Sequence, residues 1–207
     1  MRRRRTRLSL LAVALAAALV IVIVSVGGGQ SSHRRAAAFA WLRPAAAPTG
    51  WSTARTPGGA TLAYPPGWKP IKTDPGTATV ALLGNRNEIN GYLNVTPRQG
   101  PETLANWRQF RTGHNRGEGD RSVRLVASSS GLTFRAGRGS CVIDTYTTSK
   151  AAYREIACLV SGRRSTAVVV AAAPSALWDR EAAALQRAVS SFMTPANTNG
   201  RNPKEPR

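Results

Sequence analysis

Hydrophobic residues follow three different patterns along the 207-residue chain. Residues 8–26 form one apolar run in which only Ser9 and Ser25 are polar. Residues 51–194 contain short apolar segments separated by Gly, Pro and Ser, whereas residues 27–50 and 195–207 show no periodicity. We therefore predict a cytoplasmic basic N-terminus at 1–7, a transmembrane anchor at 8–26, an extracytoplasmic linker at 27–50, one domain at 51–194 and a disordered tail at 195–207.

The first apolar run has the length of a membrane-spanning helix. Its 19 residues extend roughly 28 Å as a helix, close to the thickness of the hydrocarbon core. Five arginines lie among residues 2–7, and the positive-inside rule places them in the cytoplasm and exports the rest. A cleaved signal peptide is the alternative, with Ser25 and Gly27 as a weak cleavage site. The pattern favours an uncleaved, single-pass anchor in the cell membrane; cleavage would give a secreted domain.

The domain is rich in predicted strands. Apolar and β-branched residues bounded by turn-forming residues predict strands at 61–64, 77–83, 91–96, 122–127, 132–136, 141–147, 153–160 and 166–172. The run at 168–173 is apolar throughout, which is typical of a central strand covered on both faces.

The first predicted helix follows Gly100. Pro101 is a good first helical residue, and Leu104, Trp107 and Phe110 then lie on one side of about three turns. A polar loop at 113–119 is expected to end this helix.

The second predicted helix has Ser175 as its N-cap. Its apolar stripe has steps of three and four residues, with Glu181 off the stripe, and consists of Trp178, Ala182, Leu185, Val189 and Phe192. Many strands in series with two helices predict the α+β class, with a central antiparallel sheet flanked by helices.

Two short motifs resemble a known family. Tyr64-Pro65-Pro66-Gly67-Trp68, just after a strand near the start of the domain, resembles the opening of the PsbP-like superfamily, which includes exported bacterial proteins of the DcrB and LpqN type. The closing Ser190-Ser191-Phe192 resembles the end of that family's last helix. The resemblance covers roughly residues 51–194 and implies an α/β/α sandwich that binds or assembles with partners. It transfers no catalytic, metal or cofactor residue.

Charge narrows the choice of partners. The chain carries a formal charge of +19, of which residues 1–50 contribute +8 and the tail +2; 18 basic and nine acidic residues give the domain +9. A basic exported domain favours an anionic lipid, an acidic glycopolymer or an acidic protein, and not nucleic acid. A composition rich in Arg and Ala and poor in Lys is also typical of GC-rich bacterial genomes, which favours arginines scattered over solvated faces.

The two cysteines are predicted to form a disulfide bond. A hairpin with Ser149-Lys150 as its loop pairs Cys141 directly with Cys158, at a position where Cα atoms approach to about 4.5 Å. Against this register, Ser-Lys is not a favoured two-residue turn. Two buried thiols that act as small apolar groups are the alternative.

The same register places Asp144 opposite Glu155, an unfavourable pair of like charges that is expected on an exposed face. Paired carboxylates of this kind perform acid–base catalysis only in a shaped, partly desolvated cleft. No other set of residues points to catalysis. His33 and His114 cannot share a metal site, and His114 is expected to be exposed in a loop.

Two glycine-containing segments give no strong indication of a phosphate or cation site. The segment Gly137-Arg138-Gly139-Ser140 lacks the spacing of a phosphate-binding loop and is interpreted as a turn. Glu118 and Asp120 lie in a Gly-rich loop and are at most a weak cation site.

Three functional hypotheses follow. The first is a non-enzymatic, membrane-anchored binding or assembly module of the bacterial cell envelope, with an anionic or protein partner and no cofactor. The second is a carrier of an acyl or lipid ligand held between sheet and helices. The third and least favoured is a hydrolase, for which no nucleophile and base are recognisable.

Overall fold

The computed structural model describes residues 37–195. The chain divides into two compact units, residues 1–39 and 40–207, and the fold described below is that of the second unit. The predicted anchor at 8–26 and most of the predicted tail lie outside the described residues. Within the described part of the chain, no helix is long and apolar enough to cross a membrane.

Nine strands and two α-helices build the domain. In chain order they are β1 (Ser52–Arg55), β2 (Thr61–Tyr64), β3 (Lys69–Ile71), β4 (Ala78–Leu83), β5 (Ile89–Pro97), α1 (Trp107–Gly117), β6 (Arg121–Phe134), β7 (Gly137–Thr147), β8 (Ala152–Gly162), β9 (Thr166–Pro174), a 3₁₀ turn (Ser175–Leu177) and α2 (Trp178–Ser191). All pairings are antiparallel, in a small β1-β2 ribbon and a seven-stranded sheet of order β3-β4-β5-β9-β8-β7-β6.

The helices cover opposite faces of the large sheet. On α1, Trp107 packs with Ala157 and Leu159 of β8. On α2, the ring of Trp178 contacts Arg154 of β8: the guanidinium carbon of Arg154 lies 5.0 Å from the centre of the Trp178 ring. Because side chains alternate along a strand, Arg154 and Ala157 point to opposite faces. The sheet is therefore sandwiched between two helices, as predicted.

The central strand and the closing helix confirm the strongest sequence patterns. Strand β9 lies between β5 and β8, and residues 167–173 are buried. On α2, Leu185 and Val189 have no exposed surface. Two details of α2 differ from the prediction: Ser175 begins a 3₁₀ turn and forms no capping bond, and Glu181 is 7% exposed.

The first helix begins later and ends later than predicted. The Asn106 side chain accepts a bond from the Thr103 N–H, and the Thr103 hydroxyl accepts one from the Asn106 N–H, at 2.7 and 3.1 Å. This reciprocal pair, which has the form of a capping box, closes a turn before the helix starts at Trp107. The helix passes Gly113 because its last turn is held to the sheet by Asn115, described below.

Strand β6 is one long edge strand where two were predicted. The Ser-rich segment at 128–131 was interpreted as a turn, but it continues the pairing with β7 through shifts of register. Gly131 absorbs one shift with φ +68°, which glycine adopts without steric penalty.

The strand that follows β6 also corrects a prediction. Gly137-Arg138-Gly139-Ser140 begins β7 and is not a turn. A Cβ on Gly139 would lie 3.0 Å from the Leu159 carbonyl oxygen, so close strand packing is the reason for glycine there.

Candidate functional site

The two cysteines form the predicted disulfide. Strands β7 and β8 pair Cys141 with Cys158, their sulfur atoms are bonded, and their Cα atoms are 4.1 Å apart. The hairpin has the predicted register because the Thr148 N–H donates to the Ala151 carbonyl at 2.9 Å. The Thr148 hydroxyl also accepts bonds from the N–H groups of Lys150 and Ala151, both at 3.1 Å. This side chain stabilises a Ser-Lys loop that is unfavourable by itself.

Removal of the disulfide is expected to destabilise the domain. The bond closes a loop with a sequence separation of 17, and loop entropy gives about 3 kcal/mol for a loop of this size. We expect the variant with Cys141→Ala and Cys158→Ala to lose about that much free energy of unfolding in urea. Wild-type protein under reducing conditions serves as a second arm, and equal stability of all three forms would contradict the prediction.

Asp144 and Glu155 lie side by side as the register predicted, but on a buried face. Both residues have no exposed surface, so the expected exposed face is wrong. The reason is α1, whose C-terminal half packs over this end of the sheet and contributes Arg111. That arginine lies one residue beyond Phe110, on a part of the helix that the apolar periodicity did not indicate as buried.

Glu155 is fully engaged by hydrogen-bond donors. The Arg111 guanidinium donates from Nε to Oε1 at 2.7 Å and from Nη2 to Oε2 at 2.8 Å. The hydroxyls of Tyr146 and Tyr92 also approach Oε2, at 3.2 and 3.4 Å. Tyr92 lies on β5 and reaches Glu155 across Ala172 of β9, whose small side chain leaves room.

The groups around Glu155 have the protonation states that an ionised carboxylate requires of its hydrogen-bond donors. Burial, and then the negative charge of Glu155, raise the pKa values of Tyr92 and Tyr146, so both hydroxyls stay protonated and donate. Burial acts to lower the pKa of Arg111, but Glu155 outweighs it and the pKa rises.

Asp144 is less well satisfied than Glu155. Its Oδ2 accepts a bond from the Asn115 side chain at 3.3 Å, whereas Oδ1 has no hydrogen-bond partner. Burial, followed by repulsion from Glu155, raises the pKa of Asp144 to about 7. A carboxyl group in this environment is neutral in part at physiological pH. No substrate reaches a residue without exposed surface, and we interpret the Arg111–Glu155 ion pair as a structural contact that attaches α1 to the sheet.

Of the other predicted polar residues, Asp120 is close enough for its charge to interact with those of Asp144 and Glu155. His114 is exposed, as expected, but belongs to the last turn of α1 and stacks on Phe110 with ring centres 6.1 Å apart. Glu118 is exposed, and burial followed by the charge of Glu155 raises the pKa of Asp120. Among residues 37–195, no cluster of three His, Cys, Asp or Glu side chains is able to hold a metal ion.

A groove lies beside α1 on this face of the sheet. Helix α1 packs on β6 and β7 and reaches β8 through Trp107. A groove of about 510 Å³ lies between this helix and residues of β4 and β5. We call it the α1 groove; its floor combines the polar Thr79, Asn94 and Thr96 with Tyr92, Val168 and Val170. The groove is also lined by Thr73, Asp74 and Thr77 and, from α1, by Arg111 and His114. A recess of about 260 Å³ adjoins it, with Trp107, Phe110 and Val168 in its wall.

Hydrogen bonds fix the polar groups of the groove. Asn94 donates to the Thr79 hydroxyl at 2.6 Å, and Gln99 donates to the Thr96 hydroxyl at 3.2 Å. The sequence carries a signal for this floor that the strand prediction did not use: Asn94 and Thr96 alternate with the buried Leu93 and Val95. Such a surface presents hydroxyl and amide groups to a ligand.

Solved structures identify the fold. Cyanobacterial PsbP from Synechocystis sp. PCC 6803 superposes with a TM-score of 0.51 and 16% identity, over 71% of this chain and 94% of that protein. The domain has a PsbP-like fold. The Tyr64–Trp68 motif predicted a PsbP-like fold, and this superposition confirms the fold. The motif forms a turn with Gly67 at φ +85°, and the Trp68 ring packs closely against the backbone of Gly91.

Two further structural matches have lower TM-scores. LpqN of Mycobacterium tuberculosis, described as involved in cell envelope biogenesis, has a TM-score of 0.48 and 14% identity over 70% of this chain and 91% of that one. PA94 of Pseudomonas aeruginosa, of unknown function and described as a putative regulator, has a TM-score of 0.42 and 10% identity over 72% and 99%. Neither family models nor curated proteins match the sequence.

Proposed function

We propose that the protein is a non-enzymatic, membrane-anchored binding module of the bacterial cell envelope, and that the α1 groove binds a hydroxyl-rich glycan segment. The observation that carries the proposal is the row of polar side chains in the floor of the groove, Thr79, Asn94 and Thr96, beside the apolar Val168 and Val170. The anchor is the apolar run at 8–26. The Cys141–Cys158 disulfide supports an oxidising, extracytoplasmic location.

The arrangement of ionisable groups supports binding over catalysis. Acid–base catalysis needs a group within reach of the substrate, but Asp144 and Glu155 are fully covered. Perturbed pKa values also arise in structural ion-pair networks, and here the network attaches α1 to the sheet. His114 lines the groove and stacks on Phe110. Among the described contacts, no hydrogen bond orients its imidazole ring as a general base requires.

The lining of the groove favours a sugar over an acyl chain. Hydroxyl and amide groups that lose water on binding need replacement hydrogen bonds, which a glycan supplies and an alkyl chain does not. The stacked Phe110 and His114 rings add an apolar surface beside these donors. A lipid carrier would require the adjoining recess, so lipid binding is an alternative outcome of the same experiment.

The experiment titrates full-length protein, purified in mild detergent, with soluble peptidoglycan glycan strands. We expect saturable binding that weakens about five-fold in Thr96→Val and again in Gln99→Ala, since each loses about 1 kcal/mol of hydrogen bonding. Thr96→Val keeps the side-chain shape, and Thr133→Val, at an exposed position of β6, is the matched control. Binding unchanged in the groove variants would contradict the proposal.

The same samples test the two other hypotheses. Native mass spectrometry that detects a lipid which organic solvent removes would support the carrier. Release of reducing ends from the glycan, abolished by His114→Ala, would support a hydrolase. An intact glycan after long incubation is the result expected for a binding module.

A further inference from the structure

Two tight turns lie side by side at one end of the large sheet. Arg135-Ala136 connects β6 to β7, and Arg163-Arg164 lies in the turn between β8 and β9. Gly137 pairs with Gly162, so the two turns are immediate neighbours. There is no room for side chains between them, because a Cβ on Gly162 would lie 3.0 Å from the Ala136 carbonyl oxygen.

The turns form an open basic groove of about 600 Å³. Arg135, Arg138 and Arg163 line it, all three are exposed, and no acidic side chain of the described residues belongs to its lining. We call this surface the arginine end. Arg138 donates from Nη2 to the Gly131 carbonyl at 2.6 Å, which holds its guanidinium in place.

The arginine end lies where the linker and the closing helix meet. Thr194, three residues beyond α2, donates from its hydroxyl to the Ala136 carbonyl at 3.0 Å, and Pro195 lines the basic groove. In the last turn of α2, the Ser190 carbonyl accepts a bond from the N–H of Ala45 at 3.1 Å. The chain at Ala45 therefore lies beside the last turn of α2, four residues before Thr194.

We propose that the arginine end binds the anionic phospholipid headgroups of the membrane in which residues 8–26 are embedded. This inference rests on the membrane anchor of the proposed function. Guanidinium groups bind phosphate through paired N–H donors, and three of them without a neighbouring carboxylate suit a phosphate-bearing surface. A free phosphate ion offers the same chemistry, but the position beside the linker favours the membrane.

The tether makes this contact effective although each arginine contributes little. Residues 27–44 connect the predicted anchor to Ala45 and extend at most roughly 60 Å. The domain is thus confined near the bilayer, and binding of the headgroups becomes intramolecular. Each arginine near an anionic surface shifts the equilibrium about five-fold, and three together shift it about 100-fold.

Amide hydrogen exchange tests the inference on full-length protein in nanodiscs. One set contains phosphatidylcholine alone and another contains phosphatidylcholine with phosphatidylglycerol. We expect amides at 135–138 and 162–165 to exchange at least about ten-fold more slowly with phosphatidylglycerol, in about 0.01 M salt, where the Debye length is ~30 Å. The difference should vanish in about 1 M salt and in the triple variant Arg135→Gln, Arg138→Gln, Arg163→Gln.

A variant of equal charge gives the control. Arg86→Gln, Arg116→Gln and Arg124→Gln change three exposed arginines outside the arginine end, and protection should persist. Loss of protection in this variant, or no effect of phosphatidylglycerol, overturns the inference. Equal protection by inorganic phosphate added to phosphatidylcholine nanodiscs identifies a free-anion site and also overturns it.

Failure of the proposed function has a different signature. Protein that remains soluble outside the nanodiscs contradicts both the anchor and the headgroup contact. Absence of glycan binding with retained protection at the arginine end contradicts only the assignment of the α1 groove.

Discussion

Replacement of Arg111 by Met is expected to reduce the free energy of unfolding by about 3–5 kcal/mol. The substitution leaves Glu155 without its bidentate partner, in a position with no exposed surface. Removal of one partner from a buried ion pair has an effect of this size because the remaining charge is neither solvated nor paired. The tyrosine hydroxyls that remain near Oε2 lie at 3.2 and 3.4 Å and replace only part of the interaction.

Urea unfolding monitored by tryptophan fluorescence measures the effect. Arg108→Met is the matched control, since Arg108 is exposed one turn earlier on the same helix and its loss should change stability by less than about 0.5 kcal/mol. A second substitution, Glu155→Met in the Arg111→Met background, removes the orphaned charge and should restore much of the stability. A loss below about 1 kcal/mol in Arg111→Met would show that Glu155 is solvated.

Local periodicity predicted the parts of the fold that are buried along their whole length. The apolar run at 168–173 became the central β9, and the stripe through Leu185 and Val189 became the inner face of α2. The disulfide followed from register alone, because a hairpin fixes which residues are opposite. These features depend on contacts close in sequence or on uniform burial.

Elements that depend on distant contacts were less predictable. Strands β1 and β3 are short and largely exposed, so they lack an apolar pattern. The end of α1 was placed too early because Gly113 favours a loop, whereas the bond from Asn115 to Asp144 joins residues 29 positions apart. A serine-rich segment within β6 imitates a turn, and only its pairing with β7 keeps it extended.

The buried polar network was accessible to sequence reasoning only in part. Register placed Asp144 beside Glu155, but their burial depends on Arg111, which is 44 residues from Glu155. A pair of adjacent carboxylates on paired strands is unfavourable when exposed, and that conflict was the signal that a cation from another element belongs there. The arginine end similarly combines two turns that are distant in sequence but adjacent in the sheet.

Asp144→Asn is expected to stabilise the domain at high pH and to have little effect at low pH. In the folded chain the pKa of Asp144 is about 7, whereas an unfolded aspartate titrates near 3.9. Between these values the folded state retains a proton that the unfolded state has lost, so the free energy of unfolding falls as the pH rises. Above about pH 7 the loss is complete and amounts to roughly 4 kcal/mol, from a pKa difference of about three units.

The difference in stability between Asp144→Asn and wild type should therefore be near zero at pH 4, increase through pH 5 and 6, and level off near pH 8. Asparagine keeps the acceptor for Asn115 but has no charge to desolvate. Asp179→Asn, at an exposed position of α2, is the control for removal of a surface carboxylate. Asp120, whose pKa is also raised, contributes to the raised pKa of Asp144, so its repulsion is part of the measured difference. A flat difference between pH 4 and 8 would show that Asp144 is ionised in the folded protein, with its Oδ1 solvated by water.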